Sequence, residues 1–226
     1  MQKLIIGIVP SIQGFNTNDP FEDQYYCLNS YIKKLVSHNL IPILVLLTDK
    51  TIIQGSLELC DGFIFPGGNC VQQHHFDILD YAITHNKPVL GICLGMQAMA
   101  MYSMNRDLNE ENTLSKVENH YPFKINRNNI NQLAHFVEIK EGSILYETLK
   151  QSTKIMVNSL HNYQVKHIES TFNCIAKSSD GVIEAIEYNK EGYFILGVQW
   201  HPELLNSFDN LWNRFKMECL KRKITQ

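Results

Sequence analysis

The residue best suited to chemistry in this chain is Cys93, a cysteine placed between two glycines. Gly91 and Gly95 lie two positions to either side of it, after an aliphatic run, Val89–Ile92, and before a segment of good helix formers, residues 97–101. A strand-to-helix turn at this point is so tight that side chains at the flanking positions would collide. The turn sets the thiol at the positive end of the helix, where a thiolate is favoured. The pattern predicts a nucleophile elbow; the alternative is a buried cysteine between two loop glycines.

A base for this thiol is available near the end of the chain. His201 follows an apolar strand-like run, residues 193–198, so it should lie at the strand edge that also carries Cys93. Pro202 keeps His201 out of helical geometry, and Glu203, two residues on, can point the same way and orient the ring. These residues predict a Cys-His-Glu triad. The alternative is a His-Pro turn with a solvated glutamate.

Acyl transfer also needs hydrogen-bond donors for the oxyanion that develops on the substrate. The amide of Leu94, directly after the nucleophile, is one candidate. Gly67 or Gly68 is the second, because glycine lets the backbone approach a ligand closely. Residues 66–68 could equally form an ordinary type II turn.

Further polar residues are candidates for substrate binding. Ser159 and His161 could bind the polar head of a substrate. Alternatively, they could belong to a loop whose polar groups form hydrogen bonds within the protein. The full set of substrate-binding candidates is Gly67, Gln97, Ser159 and His161. His74 and His75 follow Cys70, but adjacent histidines should diverge, and no paired spacing supports a tetrahedral site. We therefore expect no metal. No role is assigned to His38, His85, His120, His135 and His167.

The elements that must position these residues have the pattern of a doubly wound α/β domain. Apolar runs predict strands over residues 4–9, 41–47, 62–65 and 89–92, and helical spacing predicts helices over residues 24–37 and 76–83. Ligands of such folds lie beyond the carboxyl ends of the strands. The glycine turn and Cys93 both fall at that edge, which supports a site there.

The second half of the chain has a different pattern. Residues 103–131 are polar and aperiodic and predict a loop. After them, β-like alternation predicts added antiparallel strands over residues 135–139, 154–157, 172–178, 181–187 and 193–198. Asp180-Gly181 and residues 190–192 have the composition of hairpin turns. Residues 208–221 predict a final helix.

Length and composition narrow the class of protein. The chain of 226 residues has no linker or repeat, so we expect a single domain over residues 1–226. Its net charge of −3 and the lack of a basic patch argue against nucleic-acid binding. Six cysteines without close pairing favour free thiols in a reducing compartment. The apolar run at residues 4–9 is too short for a membrane span or a signal, so cytoplasm is the expected location.

Taken together, residues 91–97, 66–68 and 199–203 resemble the class I glutamine amidotransferase superfamily. The resemblance implies a flavodoxin-like fold and a Cys-His-Glu triad that hydrolyses a γ-glutamyl amide through a thioester. It implies a small-molecule γ-glutamyl substrate and no cofactor. It leaves open a synthetase partner and a homodimer.

Within that superfamily, the chain is most similar to the γ-glutamyl-γ-aminobutyrate hydrolase family. Residues 6–8, 158–161 and 180–187 carry this likeness. The family implies that Cys93 attacks the γ-carbonyl, that His201 shuttles the proton, and that Glu203 holds His201. It also implies that Gly68 and Leu94 bind the oxyanion.

The sequence differs from that family at two places, and these differences leave undecided which amine is released from the substrate. The family usually has arginine after the nucleophile, whereas Leu94 here is similar to the glutamine-hydrolysing subunits of synthetases. Residues 69–73 are shorter than the family's loop and lack its Asp and Pro. The leading hypothesis is a self-sufficient γ-glutamyl amide hydrolase. Its alternatives are a glutaminase subunit that passes ammonia to a separate synthetase, and a binding module that keeps the fold without the reaction.

Overall fold

The computed structural model describes residues 3–13, 24–48, 51–52, 54–120 and 132–225. Much of the polar segment after residue 13, and residues 121–131 of the loop predicted over residues 103–131, lie outside these described residues.

Strands and helices alternate through the first half, and strands dominate the second. The strands are β1 (Leu4–Ile8), β2 (Ser11–Gln13), β3 (Gln24–Tyr26), β4 (Leu40–Leu44), β5 (Leu47–Thr48), β6 (Thr51–Ile52), β7 (Gly62–Phe65), β8 (Val89–Ile92), β9 (Leu114–Lys116), β10 (His135–Ile139), β11 (Lys154–Val157), β12 (Tyr163–Val165), β13 (Phe172–Ser178), β14 (Ile183–Tyr188) and β15 (Ile195–Val198). The helices are α1 (Asn29–Ser37), α2 (Gln54–Glu58), α3 (Gln73–Thr84), α4 (Leu94–Ser103), α5 (Glu110–Thr113), α6 (Ile144–Thr148) and α7 (Asp209–Thr225). Among the described residues, no helix is long and apolar enough to cross a membrane.

One sheet of nine strands runs through the molecule in the order β11-β10-β13-β14-β15-β8-β7-β1-β4. The five strands from β15 to β4 are mutually parallel, and the other four pair antiparallel. The predicted fold is confirmed: a doubly wound, mainly parallel sheet with antiparallel strands added from the second half of the chain.

Both faces of the parallel strands are covered, which explains why these strands are almost wholly apolar. On β7, Ile64 packs in one core cluster with Tyr31 of α1 and Phe215 of α7. Its neighbours Phe63 and Phe65 point the other way, into a second cluster formed with α3 and α4. The helices therefore fall on opposite faces of one sheet, as in doubly wound domains.

Several element boundaries differ from those predicted. The helix predicted over residues 24–37 begins only at Asn29, because Gln24–Tyr26 forms a strand paired with Ser11–Gln13. The predicted loop contains α5 and the short strand Leu114–Lys116, which pairs with Tyr163–Val165. Both strands are held by partners distant in sequence, so local periodicity could not predict them.

Candidate active site

Cys93 occupies the turn between β8 and α4 with a backbone that few residues other than glycine adopt. Its φ is 53° and its ψ is −104°. Its amide donates to the Val198 carbonyl at 2.8 Å, and its own carbonyl accepts from the Gln97 amide at 3.1 Å. This strand–turn–helix geometry places the sulfur at the amino end of α4, which spans ten residues.

The flanking glycines are required by close packing of the turn. A Cβ on Gly91 would lie 2.9 Å from the Gly95 carbonyl carbon, and a Cβ on Gly95 would overlap the Phe65 carbonyl oxygen on β7. Helix α4 therefore starts directly against the backbone of the neighbouring strand. Side chains at either glycine would push the nucleophile out of position.

His201 follows β15 and lies beside Cys93. The His201 ring and the Cys93 side chain both lie within 3.5 Å of the position that a Cβ on Gly67 would take, and both residues are buried. Asn158, just after β11, clamps the histidine backbone: the His201 amide donates to Asn158 Oδ1 at 2.8 Å, and Asn158 Nδ2 donates to the His201 carbonyl at 3.0 Å. Nothing in the sequence predicts this role for Asn158, because its partner is far away in the chain.

Glu203 binds the other side of the imidazole. Its Oε1 lies 2.8 Å from His201 Nδ1, and its side chain is fully buried. Burial by itself would lower the pKa of His201, but the charges of Glu203 and of the Cys93 thiolate, with hydrogen bonds to both, hold this pKa well above its usual value. The arrangement therefore favours the charged form of the His201 imidazole.

Tyr31, on α1, joins the triad to the glycine turn. Its hydroxyl accepts a hydrogen bond from the Gly67 amide at 2.9 Å and lies 3.4 Å from His201 Nδ1. Burial, and next the charge of Glu203, raise the pKa of Tyr31 well above its usual value, so the hydroxyl keeps its proton. In the sequence, Tyr31 has only the spacing of a core residue on a helix, so no signal distinguished it.

The two candidate glycines have different surroundings. The Gly67 amide is taken by Tyr31, and a Cβ on Gly67 would lie 2.9 Å from His201 Cε1. The amides of Gly68 and Leu94, by contrast, have no hydrogen-bond acceptor among the residues described by the structure. Gly68 and Leu94 both line the cavity that contains Cys93. Their two amides are therefore available to a ligand in that cavity.

The cavity beside the thiol has a volume of about 310 Å³. Among the residues lining it are Gly68, Cys93, Leu94, Gln97, Glu110, His161 and Tyr163. Of the substrate-binding candidates, Gln97 and His161 are in its wall, whereas Gly67 and Ser159 are not among its lining residues. The Ser159 hydroxyl instead donates to the His120 carbonyl.

Two other features of the molecule have the size or the residue types of a site. A larger cavity of about 500 Å³ between β14 and α7 has no thiol or imidazole in its wall. His74 and His75 do not diverge as expected, since their ring centroids are 4.2 Å apart. His74 contacts the Pro10 carbonyl and His75 contacts Gln72, so backbone contacts near the start of α3 hold the two rings side by side.

Comparison with known proteins identifies the fold and the family. The glutaminase domain of Trypanosoma brucei CTP synthase, solved with bound acivicin, has a TM-score of 0.69 at 18% identity and covers 96% of this chain and 94% of that one. The fold is thus that of a class I glutamine amidotransferase domain. A family model described as Peptidase C26 matches residues 72–203, more than half of the chain, and the chain belongs to this family.

Two curated relatives are similar over most of their length. A glutamine amidotransferase-like protein of Rickettsia prowazekii (strain Madrid E) is 28% identical, with 91% of this chain and 92% of that protein covered. The γ-glutamyl-γ-aminobutyrate hydrolase of Escherichia coli (strain K12) is 27% identical, with 76% of each chain covered. The family and these relatives make the protein a hydrolase-type enzyme, similar to glutamine amidotransferases.

Proposed function

We propose that the protein hydrolyses a γ-glutamyl amide through a thioester on Cys93, releasing glutamate and an amine. The observation that carries the proposal is the His201 imidazole, held between the Cys93 thiol and the Glu203 carboxylate in a buried site. This arrangement supplies a nucleophile, its base, and a group that orients the base.

In the first half of the reaction, the Cys93 thiolate attacks the γ-carbonyl carbon of the substrate. The carbonyl oxygen becomes an oxyanion, which accepts hydrogen bonds from the amides of Gly68 and Leu94. The tetrahedral intermediate collapses, the C–N bond breaks, and the His201 imidazolium gives its proton to the departing amine. The product is a γ-glutamyl thioester.

In the second half, a water molecule enters the cavity and attacks the thioester. Neutral His201 takes a proton from this water, and Glu203 stabilises the imidazolium that results. The C–S bond breaks, glutamate leaves, and the thiolate–imidazolium pair is restored. No cofactor is needed for either half.

The γ-glutamyl specificity rests on the relatives and the cavity. The Escherichia coli relative is by name a γ-glutamyl-γ-aminobutyrate hydrolase. The cavity wall includes Gln97, whose polar side chain can bind the charged glutamate head, and the ring of His161, whose nitrogens contact Tyr163 and His120. A cavity of about 310 Å³ suits a small molecule of this class.

Selective alkylation of Cys93 tests the nucleophile. Burial raises the pKa of the other thiols, to about 11 for Cys27 and about 12 for Cys60. The same direction holds for Cys70, Cys174 and Cys219. We expect iodoacetamide to modify Cys93 first, as read by peptide mass spectrometry, and we expect H201A to slow that modification. The exposed helix-end histidine variant H85A is the matched control; equal labelling of all six thiols contradicts the proposal.

A second candidate function, a glutaminase that delivers ammonia to a separate synthetase, is favoured by Leu94. This residue lines the cavity at the position where the hydrolase family usually has arginine. A panel of γ-glutamyl amines and glutamine, with glutamate release by the purified chain as the readout, separates the two functions. Rapid turnover of γ-glutamyl amines without a partner supports the hydrolase. Turnover of glutamine alone, and only with an added synthetase, supports the second candidate.

A further inference from the structure

A buried carboxylate, Glu184 on β14, is surrounded by three histidines, one of which, His161, also lines the cavity beside Cys93. Its Oε1 lies 3.4 Å from His120 Nδ1, 3.7 Å from His161 Nε2 and 3.1 Å from His135 Nε2. His120 Nδ1 and His161 Nε2 are themselves 3.1 Å apart. Glu184 is completely buried, and the proposed reaction uses neither it nor His120.

The outward-facing nitrogens of two of these histidines are already bound to acceptors. His120 Nε2 lies 3.0 Å from Asp180 Oδ2, and His161 Nδ1 lies 2.9 Å from the Tyr163 carbonyl oxygen. In a neutral imidazole the nitrogen that donates carries the only proton, so the other nitrogen presents a lone pair. With both rings neutral, His120 Nδ1 and His161 Nε2 therefore both direct lone pairs towards the Glu184 carboxylate.

Three converging lone pairs in a dry interior repel one another unless a cation lies between them. A proton shared through His120 is one such cation, and a metal ion is the other. The spacing suits a metal ion, because ligand atoms bound to a tetrahedral Zn²⁺ lie about 3.3–3.6 Å from each other. The three separations of 3.1, 3.4 and 3.7 Å are centred on that value.

We propose that His120, His161 and Glu184 bind a divalent transition-metal ion of the Zn²⁺ type. Two imidazoles and one carboxylate are a donor set for zinc rather than for calcium or magnesium, which prefer oxygen ligands. Asp180 and the Tyr163 carbonyl orient the two imidazoles from behind, as outer partners do at metal sites. His135 Nε2 contacts the same carboxylate oxygen, Glu184 Oε1, at 3.1 Å.

The ion would join three segments that are far apart in the chain. Glu184 is on β14, His161 precedes β12, and His120 follows β9. Because His161 also lines the cavity beside Cys93, the ion would set the position of one wall of that cavity. The proposal does not depend on the reaction proposed above, and it departs from the expectation of no metal. That expectation considered only ligands close in sequence.

Metal titration of the untagged full chain tests the proposal. Protein stripped with a chelator is titrated with Zn²⁺ against a chromophoric competitor, and we expect one equivalent to bind. Co²⁺ in place of Zn²⁺ should give the visible bands of a nitrogen- and oxygen-bound ion, without the near-ultraviolet charge-transfer band of a thiolate ligand. Binding should also raise the thermal unfolding temperature.

Variants locate the ion. H120N and E184Q should lose the stoichiometric binding, and D180N should weaken it by roughly 10- to 100-fold. C93A and H85A should retain it, which separates this site from a thiol–imidazole site at Cys93 and from a surface histidine. Circular dichroism checks that each variant is folded; should E184Q unfold, the His120 variant alone still decides.

Failure of the metal site is distinguishable from failure of the enzyme. If the wild-type chain binds no Zn²⁺, a proton holds the cluster and the proposal is wrong. If binding persists in H120N and disappears in C93A, the ion belongs to the thiol site and the proposal is equally wrong. Neither result affects the alkylation of Cys93 or the release of glutamate by metal-free protein.

Discussion

At the scale of single residues, His201 is subject to opposing influences. Burial favours the neutral ring, whereas the charges of Glu203 and Cys93 favour the charged ring and prevail. The Tyr31 hydroxyl contacts Nδ1 of the same imidazole and accepts a hydrogen bond from the Gly67 amide. The protonation state of one imidazole thus depends on side chains from three separate segments.

The raised pKa of His201 predicts a pH-dependent stability. A group whose pKa is higher in the folded state stabilises the fold fully below its unfolded pKa of about 6.5, and this contribution is lost as pH rises through the folded pKa. We expect E203Q to lower the free energy of unfolding most near pH 6, with the difference from wild type shrinking towards alkaline pH. Urea denaturation at several pH values measures it; a difference that grows with pH contradicts the cause given for the shift.

Tyr31 predicts a second effect at this scale. Y31F removes the acceptor of the Gly67 amide and the hydroxyl next to Glu203, while the ring stays to fill the core. Hydrogen bonds to charged groups contribute about 1.5–3 kcal/mol, so we expect kcat to fall at least tenfold, with little change in KM. The exposed variant Y26F is the matched control. A fall in both variants, or in neither, argues against a positioning role for Tyr31.

At the scale of elements, the site depends on how closely α4 starts against β7 and β8. The helix begins at Leu94, directly after the nucleophile, and its first turn contacts the backbone of Phe65 through Gly95. A helix set further from the sheet would move both the thiol and the Leu94 amide. The contact between one helix and one strand therefore sets the geometry of the nucleophile.

This contact predicts a large effect from one methyl group. G95A would place a Cβ on the Phe65 carbonyl oxygen, so we expect a loss of about 1–3 kcal/mol in stability and a loss of Cys93 alkylation selectivity. G55A is the control, because no atom lies within 4 Å of the added Cβ on this helical glycine. It should be neutral or stabilising by up to about 1 kcal/mol. Thermal unfolding that ranks the two variants in the opposite order would contradict the packing argument.

At the scale of the whole molecule, the two ends of the parallel strands differ in what they contain. The carboxyl ends of β7, β8 and β15 lead to Gly67, Cys93 and His201. At the opposite end, Asp61 accepts from the Ile5 amide at 2.8 Å and pairs with Lys223 of α7 at 2.9 Å. The carboxyl ends of the parallel strands thus carry the residues of the proposed reaction. At their amino ends, contacts of Asp61 connect the last helix to the first strand.

This division predicts that stability and turnover can be separated. D61A leaves the Ile5 amide and Lys223 without this acceptor, so we expect it to cost about 1–3 kcal/mol while kcat of the folded enzyme stays unchanged. K223A removes the more exposed partner and should cost about 1 kcal/mol or less. Denaturation and steady-state kinetics on the same preparations check both. A large fall in kcat for D61A would mean that the two ends of the strands are coupled.

The sequence by itself determined the features that depend on neighbouring residues. Glycines at fixed offsets from Cys93, a histidine and a glutamate two apart, and wholly apolar runs each act locally, so they predicted the turn, the His201–Glu203 segment and the doubly wound sheet. The fold is confirmed by the nine-stranded sheet and by the likeness to solved glutamine amidotransferase structures. The catalytic roles stay predictions.

Only the tertiary structure decided which distant residues meet. Tyr31 reaches the Gly67 amide across 36 positions of sequence, and Asn158 reaches His201 across 43. His120 and His161, 41 positions apart, converge with Glu184. Such contacts are created by the stacking of helices and strands, and a side chain's spacing along its own element contains no information about what lies opposite. The buried tyrosine, the asparagine clamp and the histidine cluster are for that reason properties of the fold rather than of any segment.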